Sequence, residues 1–169
     1  MKTIYLVRHA KSSWEQPGLP DIQRPLLEKG KKKTRFVIDF LKRSHIRPDL
    51  IISSHAVRAR ETAKLLAMGM DYPQDEIMIS QNIYYDSADQ FYHLFYDLNE
   101  DVTSVMIVGH NPAITAFVNL ISDREIEMMP TSAIAAVRLD ISDWTLIGGA
   151  RGKLIFYETP GSLSNKFVP

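Results

Sequence analysis

Leu50-Ile51-Ile52-Ser53-Ser54-His55-Ala56-Val57-Arg58-Ala59 is the stretch from which the fold can be read. Pro48 breaks what precedes it, and the apolar run Leu50-Ile51-Ile52 reads as a buried strand. The period then changes. Ala59, Ala63 and Leu66 fall on one side of a helix predicted over Ala56 to Met68. A buried strand that feeds at once into a helix is the repeating unit of an α/β domain.

The same alternation extends to both sides. Upstream, Thr3 to Val7 is a buried strand, residues 10–26 with Pro17, Gly18, Pro20 and Pro25 are a loop, and Leu27 to Ser44 is a helix with Gly30 weakening its start. Downstream, Glu76 to Ser80 is a strand, and Ser87 to Leu98 is a helix opened by a Ser87-x-x-Gln90 capping box. Val105 to Val108 is a further buried strand, and Asn111-Pro112 opens a helix to about Ile121. Ala133 to Ile141 and Lys153 to Glu158 are two late strands joined through Gly148, Gly149 and Gly152. Pro160 to Pro169 has no period and reads as a partly loose tail with no regular element. Residues 1–169 are therefore expected to form one α/β domain with a mostly parallel sheet and right-handed connections.

Composition narrows the chemistry. With 169 residues, 45 % hydrophobic and 24 % charged, the chain can build a core without staples. The absence of Cys excludes a disulfide framework, a thiolate metal site and a cysteine nucleophile. No 18-residue apolar stretch is present to span a membrane. Met1 to Arg8 becomes charged too soon for a signal peptide, so a cytoplasmic location is expected. Twenty basic residues balance 20 acidic ones, but unevenly: residues 1–70 carry 15 Lys/Arg against 6 Asp/Glu, and residues 71–101 carry 8 Asp/Glu and no Lys/Arg. The first part is thus suited to an anionic ligand.

In open parallel sheets, ligands bind beyond the carboxyl ends of the strands. Arg8-His9 follows the first strand, Ser53-Ser54 ends the second, and Gly109-His110-Asn111 follows the fourth. Arg58 lies in the first turn of the helix after the second strand. Two His and two Arg are thereby brought to one edge. His is a common metal ligand, but Arg is a poor neighbour for a divalent cation, and catalytic zinc usually takes three protein ligands. Planar guanidinium forks suit a phosphate instead. A helix N-terminus after Asn111-Pro112 adds to the same preference. No metal or cofactor is expected.

Arg8-His9-Ala10-Lys11-Ser12-Ser13-Trp14 resembles the first signature of the histidine phosphatase superfamily, in the form carried by SixA-type phosphohistidine phosphatases. Asp21-x-x-Arg24-Pro25-Leu26-x-x-x-Gly30, Ser54-x-x-x-Arg58-Ala59-x-x-Thr62-Ala63 and Val108-Gly109-His110-Asn111-Pro112 resemble its later elements, in order. Pro130-Thr131 and the two late strands fit its C-terminal part. The resemblance implies a three-layer α/β/α, phosphoglycerate mutase-like fold and a metal-independent phosphatase. It implies that His9 attacks phosphorus to give a phosphohistidine intermediate, while Arg8, Arg58 and His110 hold the phosphoryl oxygens. Larger members carry a carboxylic acid that protonates the leaving group, and Asp86 is the candidate here. A phosphohistidine leaving group needs little such help, so a missing acid favours that substrate.

Lys11, Ser12, Ser13, Arg24, Asn111 and Thr131 are candidate phosphate or substrate contacts, with loop hydrogen bonding as the alternative for the two serines and Lys11. Trp14 is read as packing on the pocket rim and Asp21 as structural. His55 stands where the family often has Pro and is read as a surface variation. Arg60, His45, His93 and Lys31 to Lys33 are read outside the site, and Phe91, Phe95 and Leu98 as core. The expected partner is a phosphorylated small molecule or a phosphohistidine-bearing protein. A mutase-like phosphoryl transferase and a non-catalytic phospho-ligand-binding module are the alternatives. Nucleic acid is not expected, because no basic motif with interleaved aromatics occurs.

Overall fold

Side chains alternate across a strand, so each buried strand of this sheet serves two cores. Ile4 and Leu6 of β1 (Lys2–Arg8), Ile52 of β2 (Leu50–Ser54) and Val105 and Ile107 of β4 (Ser104–Gly109) face one side. Their neighbours Val7, Ile51, Met106 and Val108 face the other. The computed structural model describes residues 1–85 and 87–166. With β3 (Met78–Ser80), β5 (Ile134–Leu139) and β6 (Lys153–Glu158), the sheet has six strands in the order β3-β2-β4-β1-β5-β6. Neighbours from β3 to β1 pair in parallel, and β5 is antiparallel to both β1 and β6.

Helices α1 (Glu28–Arg43) and α2 (Val57–Gly69) cover one face through Val37, Leu41, Ala59, Ala63 and Leu66. Helix α3 (Ala113–Ile121) covers the other with Ile114, Phe117 and Val118. This is the three-layer, mostly parallel α/β arrangement expected from the sequence.

Two local readings are corrected. Ala88–Leu94 forms 3-10 turns, and the Ser87 side chain makes no cap bond. The anchoring rings set that backbone: Phe91 stacks on Phe117 and Phe95 on Trp144, each at 5.0 Å between centroids. The backbone runs between them on bonds from the amides of Phe95 and Leu98 to carbonyls three residues back. The second correction is the tail, where Pro160–Lys166 forms helix α4. Seven residues show no legible period, but Leu163 is buried in the core beneath α1, and the Thr159 and Ser162 hydroxyls accept from each other's backbone N–H.

Register places the carboxyl ends of the central strands side by side. Arg8 pairs with Gly109 and Ser53 with Val108. The His9 amide donates to the Gly109 carbonyl at 3.0 Å, which continues the ladder past the strand end. The loop after His9 is tied to the start of α1 by Ser13 N–H on Pro25 O and Leu27 N–H on Lys11 O, both 2.9 Å. Gly30 is what lets α1 come so close, since a Cβ there would lie 2.4 Å from the Lys11 carbonyl oxygen.

Candidate active site

His9 is oriented by the chain itself. Its Nδ1 donates to the carbonyl of Ala10 at 2.7 Å, and the ring is 7 % exposed. A proton on Nδ1 leaves the lone pair on Nε2. Burial, with the positive charges of Arg58, Arg8 and Arg24, outweighs the Ala10 bond and lowers the ring's pKa from 6.5 to about 4. The ring is therefore neutral at physiological pH. Ala10 is held in turn, its N–H donating to Thr62 Oγ1 at 2.9 Å while Thr62 donates to the Arg58 carbonyl at 2.7 Å. One buried hydroxyl thus couples the His9 loop to the helix that carries Arg58.

His110 packs against His9, with ring centroids 5.0 Å apart. Its Nε2 lies 2.7 Å from Ser54 Oγ, and that oxygen already accepts from the Ala56 amide. With the Ser54 proton on this bond, Nε2 accepts and Nδ1 of His110 carries the ring proton, in the tautomer that can donate to an anion. Burial first, then the charges of His9 and Arg58, lower His110 to about 3. Arg8 donates Nη1 to the Met129 carbonyl at 2.8 Å, and burial lowers its pKa as well. Among the described residues, four buried side-chain nitrogens have no hydrogen-bond partner: Arg8 Nε, Arg58 Nε, His110 Nδ1 and His55 Nδ1. Buried polar atoms are almost always paired, so such a cluster marks a place where pairing is reserved for something else.

Arg58 is held by Asp21. Its Nη1 donates to the Asp21 carbonyl at 2.7 Å and its Nη2 to Oδ2 at 2.9 Å. The same carboxylate accepts from Arg24 Nε at 2.9 Å and from the Tyr84 hydroxyl at 2.8 Å. Burial alone would raise Asp21, but those donors and charges outweigh it and hold its pKa at about 2. A cavity of about 280 Å³ opens here, lined by Asp21, Arg58, Tyr84, Tyr85, His110 and Asn111.

The structure brings Arg8, His9, Arg58 and His110 together. Arg24 is 8 % exposed, donates to Ser12 Oγ at 3.1 Å and lies 3.5 Å from the Trp14 ring centroid. Ser12 therefore serves Arg24, and the Ser13 hydroxyl accepts from the Glu15 amide. Asn111 lines the cavity, but its amide donates to Met129 O and its carbonyl accepts from Thr115. The Lys11 side chain is exposed, and what it contributes is its carbonyl. Thr131 is half-buried, while its neighbour Ser132 does the local work: at φ 62° its N–H donates to the carbonyls of Arg8 and His9. Asp86 lies outside the described residues.

Sequence reasoning read Asp21 as structural, left Tyr84 unassigned, and gave Thr62 and Ser54 no roles beyond their motif. It discounted His55, which is half-buried with its ring against Tyr84 at 5.0 Å between centroids. Hydroxyls and backbone acceptors leave no periodic signature. The one available cue was that Asp21, Ser54 and Thr62 stand within the quoted motifs. No group of three or more His, Cys, Asp or Glu among the described residues is placed to hold a metal ion.

Comparison with known proteins agrees with the geometry. The profile of the histidine phosphatase superfamily (branch 1) matches residues 4–80. Phosphohistidine phosphatase SixA of Escherichia coli is 26 % identical over 141 residues, 82 % of this chain and 86 % of that protein. The crystal structure of a SixA-like protein from Agrobacterium tumefaciens superposes with a TM-score of 0.78 at 28 % identity, covering 94 % of this chain and 98 % of that one. A chloroplastic protein of Arabidopsis thaliana is 26 % identical over 140 residues, and this chain spans 64 % of its length.

Proposed function

We propose that this chain, a member of the histidine phosphatase superfamily of SixA-like type, hydrolyses phosphohistidine or small phosphomonoesters through a phosphoryl group carried on His9. The observation that carries the reading is the free Nε2 of a neutral His9 set among unpartnered nitrogens of Arg8, Arg58 and His110.

In the first step His9 Nε2 attacks phosphorus, and the bond to the leaving group breaks as the N–P bond forms. Arg8, Arg58 Nε and His110 Nδ1 take the phosphoryl oxygens. These donors are rigid and shielded from water, which is where electrostatic stabilisation of a transition state is strongest. As His9 becomes positively charged, its Nδ1–H bond to the Ala10 carbonyl strengthens. In the second step water attacks phosphorus, the N–P bond breaks, and phosphate leaves with His9 restored.

The leaving group needs a proton. Asp21 is the carboxylate that lines the cavity among the described residues, and at a pKa of about 2 it has none to give at neutral pH. A phosphohistidine that departs as a ring already protonated avoids this need. That favours a phosphohistidine-bearing protein over an alkyl phosphate, and the rim suits it: Trp14 and Tyr85 are 78 % and 60 % exposed. The test is turnover of a phosphohistidine-bearing protein and of phosphomonoesters, with EDTA present. Release of free phosphate that EDTA leaves intact and His9→Ala abolishes is expected. Loss of turnover in EDTA, or its retention in His9→Ala, contradicts the mechanism.

A further inference from the structure

We infer that Asp21 is a positioning residue that sets how tightly the pocket holds phosphate, keeping the outer nitrogens of Arg58 occupied so that product can leave. The inference rests on the phosphatase reading above.

Arg58 is buried, its side chain only 6 % exposed, and cannot turn out to solvent. Both of its terminal nitrogens are on Asp21, one on the carbonyl and one on the carboxylate, and only Nε is unpartnered. A guanidinium held in this way has an N–H of each terminal nitrogen committed to Asp21 and its orientation fixed by those bonds. Without those bonds the edge now turned to Asp21 would also be open to the bidentate pairing that binds phosphate most strongly, and the full positive charge would act on it. The Asp21 carboxylate also places a negative charge on the wall of a pocket meant for a dianion. Three donors from separate segments, Arg24, Arg58 and Tyr84, keep it ionised and in place.

Binding energy that a hydrolase gives equally to substrate, transition state and product does not raise turnover. Asp21 lowers that uniform attraction and leaves Arg58 Nε aimed at the reacting group. A residue that merely braced the loop would do the reverse when removed: phosphate binding would weaken.

The test is competitive inhibition by inorganic phosphate of p-nitrophenyl phosphate hydrolysis, in wild type, Asp21→Asn and Asp21→Glu. Asp21→Asn should lower the phosphate Ki by about tenfold, since one negative charge beside the dianion is gone. KM and kcat should fall together in the same variant. Asp21→Glu restores the charge and should return Ki to within about threefold of wild type. Asp21→Ser carries the same expectation as Asn, and the phosphate-induced rise in Tm reads binding in either variant if activity is too low. A Ki that is unchanged or raised in a folded neutral variant overturns the proposal. If wild type neither turns over the ester nor binds phosphate, the phosphatase reading fails, and this proposal with it.

Discussion

Thr62→Val removes one oxygen atom from the core and should be costly for a reason that packing does not supply. Thr62 is fully buried, its hydroxyl accepting from the Ala10 amide at 2.9 Å and donating to the Arg58 carbonyl at 2.7 Å. Valine fills the same space without the hydroxyl. Ala10 is fully buried too, so its N–H is left unpaired. That desolvated donor costs about 1–3 kcal/mol and the lost bond to Arg58 about 1 kcal/mol more. For a chain of this length each kcal/mol lowers Tm by about 2–4 °C, so a fall of about 4–16 °C is expected by calorimetry. Activity should suffer separately. The Ala10 carbonyl orients His9, and a small misplacement of a nucleophile costs about 10- to 100-fold. We expect that loss in kcat, with KM moving by less than about threefold. If Thr62→Val melts within about 2 °C of wild type and keeps kcat within about threefold, Thr62 does not join the nucleophile loop to the Arg58 helix.

Two further outcomes follow from the same geometry. Gly30→Ala should destabilise although alanine is the better helix former by about 1 kcal/mol, because its Cβ would meet the Lys11 backbone oxygen at 2.4 Å; a raised Tm would show that α1 does not press on the His9 loop. Folding stability should fall as pH drops from about 6.5 toward 4: the unfolded chain protonates its histidines there, while folded His9 and His110 stay neutral until about 4 and 3. At pH 5 this is about 2 kcal/mol for His9. Urea midpoints at pH 7 and pH 5 measure it, and a smaller drop is expected in His9→Phe; a drop equal in wild type and variant contradicts the assignment.

Much of this fold was legible because period and punctuation agree. Each buried strand is an apolar run closed by a polar residue, and Pro48, Gly109 and Pro112 mark changes of element. The catalytic candidates were legible for the same reason: Arg8, His9 and His110 follow strand ends, and Arg58 opens the helix after one. Less was legible where tertiary contact decides. The 3-10 turns near Phe91 are set by rings from α3 and Trp144, and α4 is too short to show a stripe. In the site, Asp21 approaches Arg58 across 37 positions and Tyr84 approaches Asp21 across 63. Separations of that kind emerge only once the sheet has brought the loops together. His55 was discounted because it stands where the family often has Pro, whereas its neighbour in space is Tyr84.

The central claim is that His9 carries the phosphoryl group. Rapid mixing of the protein with a phosphohistidine-bearing protein or an aryl phosphate, quenched in base and mapped by peptide mass spectrometry, tests it directly. One acid-labile, base-stable phosphoryl group on the peptide containing His9, absent in His9→Ala and lost as phosphate is released, is the result the account requires. Turnover with no such species at any mixing time, or with the phosphoryl group on another residue, would contradict it.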